Sequence, residues 1–454
     1  MLLPLVLYGV LLSLTIFAPM RVALVAYLML SVVDFNTANA GIGIFNAARG
    51  LVCPVILLWR LRDFGGHGRM VLAPIAWLLL ILYAAIASLW SLFPLSAFKL
   101  VGEMAGSFLI CMVFLRASKG GFLTPKLALP ITVGIISIAI LRVLYIHALG
   151  DVFSKASGGM SGDTLDRFTA FTTAQAFAAL LTALYSVAVT SRTLHFWVRA
   201  PLCFGIVVAL IFNGSRLWLI ALIVATVLSL LISEAPSWTK IVGVGGILLM
   251  LIGMVAASEF LIDALQGAHQ YRIAAAITAA YEGNQKDTGL GTLVLRRRLD
   301  ARAVDMIRGG SLLEICFGHG TSNGRLVRGQ LDKGIGDPNR SVHNEWLRIL
   351  YEWGIVGFIL WLLFIGSLMA YAIEGLKHDN LGFAKPLFIY VPAFCIGVTG
   401  ENIIAGAGHA ENVGLLVLIG IAAMAHRANQ KTGQNTSRQN LQPSHLPGNA
   451  LAAR

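Results

Sequence analysis

With 454 residues, of which 57% are hydrophobic and only 12% charged, the chain carries far more apolar surface than a soluble domain of its size buries. Its formal charge of +12 is scattered between apolar runs, which argues against nucleic acid as a partner and for topology signals and anion binding. A mean hydropathy of +0.78 with recurrent long apolar runs predicts an all-α polytopic integral membrane protein; a β-barrel would show short alternating segments instead.

In chain order the predicted spans are about 2–18, 22–34, 42–60, 70–90, 98–115, 127–149, 168–190, 199–213, 216–233, 241–257, 347–371, 385–399 and 412–426, about 12 to 13 in all. The first lacks a basic start and a small-residue cleavage site and reads as a retained span. The basic connectors are Arg60/Arg62/Arg69, Arg116/Lys119/Lys126, Arg192/Arg199, Lys240, Lys377/Lys385 and the Arg427/Lys431/Arg438 tail. Counted alternately, all fall on one side, which the positive-inside rule makes cytoplasmic. The first two spans are short enough to form a hairpin, so the side of the N-terminus does not follow.

The expected organisation is an N-terminal transmembrane bundle (1–257), one large helical periplasmic loop (258–346), C-terminal transmembrane helices (347–426) and a disordered cytoplasmic tail (427–454) rich in Gln, Asn, Ser and Pro. Cys316 alone lies in the loop, which therefore has no internal disulfide to form. No Cys/His clustering of the zinc type and no closely spaced carboxylate pair suggests a metal. Transporter-like internal repeats are absent too.

Candidate chemistry gathers on the outer side. Ser341 is the expected N-cap of the span after the loop, which puts His343 in its first turn. There the helix dipole disfavours imidazolium and leaves a neutral base. Gly354 and Gly357, eleven and fourteen residues on, return to within about 40° of the histidine's face on a continuous helix and admit a neighbouring backbone. Arg216 opens an apolar span after the tight turn Asn213-Gly214-Ser215, on the side where arginines are scarce, and its guanidinium suits bidentate phosphate binding. Arg49, Lys99, Arg142 and Arg167 are further cations on outer halves of spans. Lys99 has Glu103 one turn on, whereas Arg49 and Arg142 have no such local partner.

In the loop, residues 295–307 read as an amphipathic helix with Leu295, Leu299, Ala303 and Ile307 on one stripe. Its arginines, Arg297 and Arg298 among them, either grip a pyrophosphate or lie on anionic lipid. Gly318-His319-Gly320 reads as a turn, and Glu401, His409 and Glu411 as weak acceptor-side candidates.

The run His343-Asn344, nine residues, Gly354-x-x-Gly357 resembles the loop-exit motif of the O-antigen ligase and polymerase superfamily of bacterial envelope glycosyltransferases. Ser215-Arg216 is similar to that family's Ser-Arg start of a mid-chain span. Trp90-Ser91-Leu92-Phe93-Pro94 with Lys99 is similar to its outer turn. Arg167, Phe171 and Gln175 resemble a looser segment that has Asn where this chain has Gln. The loop arginines and Gly318-x-Gly320 sit where the family has an arginine helix and a Gly-x-Gly.

The resemblance implies a GT-C-like fold and glycan transfer at the periplasmic face of the inner membrane. The donor would be an undecaprenyl-pyrophosphate-linked oligosaccharide and the acceptor a sugar hydroxyl on a glycan or lipid-linked glycan. Attack would be in line and inverting, with no cofactor or metal, in contact with membrane lipids and with a chain-length regulator as a possible partner protein. His343 would deprotonate or orient the acceptor, with Asn344 beside it. Arg216 and a loop arginine would stabilise the leaving pyrophosphate. The product-level alternatives are a polymerase of exopolysaccharide or O-antigen repeats and a ligase onto lipid A core. From other classes, a flippase for lipid-linked glycan would need polar groups through the cytoplasmic half, which is poor in them. A peptidoglycan-type transferase would need a loop carboxylate, for which Glu259 and Asp263 are the near-membrane candidates.

Overall fold

The computed structural model describes residues 2–32, 48–64, 72–148, 174–191, 194–213, 215–233, 245, 290–329, 344–378 and 384–399. Among them the chain is all-helical. Three helical stretches, Leu72–Trp90, Pro94–Ser118 and Glu345–Lys377, are long and apolar enough to cross a membrane, and several shorter apolar helices accompany them. The helices in order are α1 (Leu2–Phe17), α2 (Met20–Val32), α3 (Cys53–Arg60), α4 (Leu72–Ala87), α5 (Pro94–Lys119), α6 (Ala128–Ala148) and α7 (Ala174–Thr190). They continue with α8 (Phe196–Asn213), α9 (Arg216–Leu231), α10 (Leu290–Arg308), α11 (Leu312–Phe317), α12 (Gly324–Gly329), α13 (Glu345–His378) and α14 (Ala384–Gly397).

The helices follow the apolar runs closely, and α9 begins at Arg216 as expected. The expected spans 241–257 (Gly245 apart) and 412–426, with the tail and Glu259, Asp263, Glu401, His409 and Glu411, lie outside the described residues. The third expected span is described from Ala48 onward and is not one continuous α-helix. A π turn over Ala48–Val52 leads into α3, where Pro54 has no N–H to give to the regular ladder.

Hydroxyls inside these apolar helices are satisfied locally. Thr15, Ser88, Thr132, Thr182 and Ser186 each donate to the carbonyl four residues back, so these five keep their hydroxyl hydrogens paired within the helix.

At the centre, α13 lies along α4 and α14, and α14 lies along α7 and α9. Aromatic rings fill that junction: Trp77 is 4.9 Å from Phe364, and Trp361 is 5.6 Å from Phe364 and 6.3 Å from Phe394, centroid to centroid. At one end of the bundle the Glu345 N–H donates to Val398 O at 3.1 Å, and Gly397 lies against the Trp218 ring. That end therefore holds the start of α13, the end of α14 and the start of α9. Gly375, late in α13, meets Ala384 at the other end.

Arg60, one of the connector cations, has a structural job. Its Nη1 donates to Thr15 O (3.1 Å) and Ile16 O (2.9 Å), and its Nη2 to Ala18 O (2.6 Å). It thereby satisfies the open carbonyls at the end of α1. Arg60→Ala is expected to cost about 2 kcal/mol, the scale of charge-assisted hydrogen bonds in a half-buried place. Hydrogen exchange should rise over 12–18 while α13 stays protected, and Arg60→Lys, which keeps charge without the fork, should recover only part.

Candidate functional site

Asn344 begins the site. Its side-chain carbonyl accepts from the N–H groups of Trp346 (3.1 Å) and Leu347 (3.4 Å), and its own carbonyl accepts from Arg348 N (2.9 Å). Asn344 is thus the N-cap of α13, in place of Ser341, because the first helical residue is Glu345. Ser341 and His343 lie outside the described residues.

Three charges on α13 are buried just inside that cap: Glu345, Arg348 and Glu352. Spacings of three and four residues stack them on one face. Arg348 Nε donates to Glu345 Oε1 at 3.1 Å, Nη2 donates to the same oxygen, and Nη1 donates to Glu352 Oε2 at 2.8 Å. The guanidinium also lies over the Trp353 ring, 5.4 Å from its centroid. Glu352 uses its remaining capacity on loop backbone, accepting from Ser322 N at Oε2 (3.0 Å) and from Gly324 N at Oε1 (3.0 Å). Two acids and one base, all buried, hold a loop segment to a helix. Reading the sequence for outer cations passed over this set. Its signal was the run Glu-x-x-Arg-x-x-x-Glu on one face at the mouth of an apolar helix.

The segment 317–325 is that partner. Gly354 has φ 60° and ψ −164°, so α13 is broken there and the carbonyls before the break are open. His319 N and Gly320 N donate to Tyr351 O and Glu352 O, both at 2.9 Å. A Cβ on Gly354 would come within 2.5 Å of Cys316 O and Gly318 N. The expectation of a continuous helix with both glycines under the histidine's face is corrected by this break: helical angles do not carry across Gly354. Gly357 sits beyond it, against Trp353 and Tyr83.

The far side of the same segment grips the turn between α4 and α5. Thr321 Oγ1 donates to Ala84 O (2.7 Å) and accepts from Trp353 Nε1 (3.0 Å). Ser91 Oγ donates to Thr321 O (2.6 Å), Leu92 N donates to Asn323 Oδ1 (3.0 Å), and Trp90 Nε1 donates to Gly318 O (3.3 Å). Arg325 Nη1 reaches Ser96 Oγ at 2.9 Å. Gly318-His319-Gly320 is thus no isolated turn. It is one edge of a strap, and Trp90-Ser91-Leu92-Phe93-Pro94 is its seat.

The arginine helix, α10, is held to the same strap and to α13. Leu299 and Ala303 are buried, and Ala303 packs with Val327 and Tyr351, with Met306, Ile307 and Leu347 around them. Three of the four expected stripe residues, Leu299, Ala303 and Ile307, pack on protein and not on lipid. Between α10 and the strap, Ser311 and Glu314 form a capping box: Ser311 N donates to Glu314 Oε2 (2.7 Å) and Glu314 N to Ser311 Oγ (3.3 Å). The bond from Ser311 N, with a second from its hydroxyl, holds the Glu314 carboxyl below the ordinary glutamate range. His319 stacks on Tyr351 at 4.2 Å.

The other expected site residues divide by place. Arg167, like His343, lies outside the described residues; Arg142, Arg216, Arg297 and Arg298 are placed as backbone on α6, α9 and α10. Arg216 opens α9 two residues before Trp218, whose ring meets Gly397, so its backbone shares an end with Asn344. Lys99 Nζ is 4.0 Å from Glu103 Oε1, and Arg49 is buried, its carbonyl accepting from Tyr27 Oη at 3.3 Å. The structure brings together Asn344, the start of α9, Gly354 and the α4–α5 turn, and pairs Lys99 with Glu103 apart from them.

Residues 201–362 match the family model described as O-antigen ligase, a stretch that runs from α8 through Arg216, α10 and the strap to the first turns after Gly354. This supports the resemblance to the O-antigen ligase and polymerase superfamily, and with it an O-antigen ligase-type function in polysaccharide biosynthesis. No curated protein matches the chain.

Proposed function

We propose that the protein is an inner-membrane glycosyltransferase. It moves an undecaprenyl-pyrophosphate-linked oligosaccharide onto a sugar hydroxyl at the periplasmic face, without metal and with inversion. The observation that carries this reading is the O-antigen ligase match over 201–362, the stretch containing Arg216, the arginine helix and the loop exit.

The chemistry follows from the groups available. A lipid pyrophosphate leaves with its own negative charge, so the transition state needs cations fixed at the interface more than it needs an acid. Arg216 and an arginine of α10, Arg297 or Arg298, supply them. Arg49, Lys99, Arg142 and Arg167 add positive potential on the same side of the membrane. His343, one residue before the cap of α13, takes the acceptor's proton as the new bond forms, and Asn344 orients the segment that carries it. The strap fixes α10 against α13 and so contributes positioning. The donor enters from the membrane, the C-terminus lies in the cytoplasm, and a chain-length regulator is a candidate protein partner.

Two products fit: a longer lipid-linked polymer, or polymer joined to lipid A core. The matched family, O-antigen ligase, favours the second, and the layout is equally that of polymerases. His343→Ala, in cells with normal donor and normal amounts of the protein, is expected to abolish transfer. Intact transfer would sink the catalytic reading. Arg216→Lys, which keeps charge but not the bidentate fork, should retain a small fraction of activity. Removing the protein resolves the product: single lipid-linked repeats accumulate without a polymerase, long lipid-linked chains without a ligase.

A further inference from the structure

Helix α11 is turned the wrong way for a segment in water. Leu312, Leu313 and Phe317 occupy an arc of about 140° on it, and among the described residues they are 77%, 70% and 45% exposed. Its other side is fastened to the bundle. Tyr83 Oη donates to Phe317 O at 2.9 Å, Trp90 Nε1 donates to Gly318 O, and the backbone at Cys316 lies against Gly354. Its height along the bundle is therefore fixed by Gly354 on one side and by the end of α4 on the other.

That height is where two exposed apolar rows begin. On α13, Ile355, Ile359 and Leu362 face outward directly after Gly354. On α4, Leu79, Leu82 and Ile86 do the same and run up to Leu89, itself 78% exposed. Rows of this spacing on helices long enough to span are lipid-facing stripes. The last turn of α11 meets the tops of both, at Gly354 and at Tyr83, and Leu92 of the adjoining turn is likewise 68% exposed. Tyr83 and Trp90, whose polar tips bond the strap while their rings stay with the spans, are the residue types of a membrane–water boundary. The polar end agrees. Glu314 is occupied by its own capping box, and the exposed Arg308 stands just before α11, where headgroup phosphates would lie.

We infer that α11 is an interfacial foot, whose Leu312–Leu313–Phe317 edge inserts among the acyl chains of the leaflet that borders the strap. Leu299, Ala303 and Ile307 of α10 face protein; among the described residues of the extramembrane segment, the membrane contact is made by this shorter helix. Its consequence is height: the foot sets how far the strap and α10 stand above the lipid.

The test places the photo-crosslinking residue p-benzoyl-phenylalanine at Leu313 in the full chain, reconstituted in phosphatidylethanolamine–phosphatidylglycerol vesicles. Both positions probed are exposed, so folding is undisturbed. After irradiation, mass spectrometry should find phospholipid attached at 313 in several-fold greater yield than with the same probe at Asp305, an exposed position on α10. A crosslink from 313 to this chain or to a second copy in place of lipid would overturn the inference. So would equal lipid yields at 313 and 305.

Discussion

Arg348→Ala is expected to destabilise the protein by about 3–5 kcal/mol, the cost of leaving a buried charge without its partner. The reason lies in what remains. Glu345 and Glu352 are both buried, and Glu352 is engaged by Ser322 N and Gly324 N, so it cannot turn to water without releasing the strap. A glutamate left unpaired in an apolar surrounding takes up a proton, and a protonated Glu352 accepts those two N–H groups less well. The variant should therefore lose melting temperature in nanodiscs and lose hydrogen-exchange protection first over 318–325. Glu352→Gln should be milder, since the amide oxygen still accepts one strap N–H. Removing the ionic set together, with Glu345→Gln, Arg348→Met and Glu352→Gln, should cost less than Arg348→Ala alone, because no charge is stranded. A wild-type melting temperature for Arg348→Ala would show that the three charges are hydrated in the membrane and the account is wrong.

Gly354→Ala is the second large effect. At φ 60° and ψ −164° the backbone is in a region that only glycine adopts cheaply, with about 1–3 kcal/mol of strain for any other residue. The methyl would also press on Cys316 O and Gly318 N, which are backbone and cannot rotate away. Relief comes from letting α13 close into a regular helix. That withdraws Tyr351 O and Glu352 O from His319 N and Gly320 N. The expected outcome is a protein whose spans remain folded, whose 316–324 segment becomes sensitive to protease, and whose glycan transfer is lost. Gly366, also on α13, is the control: a Cβ there meets nothing within 4 Å, and Gly366→Ala should be neutral or slightly stabilising. Equal behaviour of the two alanine variants would refute the break as the cause.

Much of the fold was legible because apolar runs and their basic flanks are local signals. The start of α9 at Arg216, the bounds of α1 and α2, and the apolar stripe of α10 follow from residues within a few turns of each other. The strap was not legible, for the opposite reason. Nothing near Gly318-His319-Gly320 shows that its partners are Ala84, Ser91 and Glu352. A Gly-x-x-Gly in an apolar helix reads alike whether a neighbouring helix packs there or the backbone breaks, and only the positive φ at Gly354 separates the two. Glu345, Arg348 and Glu352 carry no local sign of their burial, because burial is a property of what covers them. The residue types at the loop exit were readable; the cap itself was placed three residues early, at Ser341 and not at Asn344.

Ser91 and Thr321 are 230 positions apart, and Tyr83 and Phe317 are 234. During synthesis the α4–α5 turn leaves the ribosome, and its helices are inserted, long before the residues that complete it exist. Glu352 and Gly354, which lock the strap, come later still. The seat must therefore wait, with its polar groups in water, while most of the bundle is laid down, and closing it comes late in maturation. A chain stopped before Glu352 would carry ten of the thirteen expected spans, lack most of α13 and all of α14, and still present an open seat.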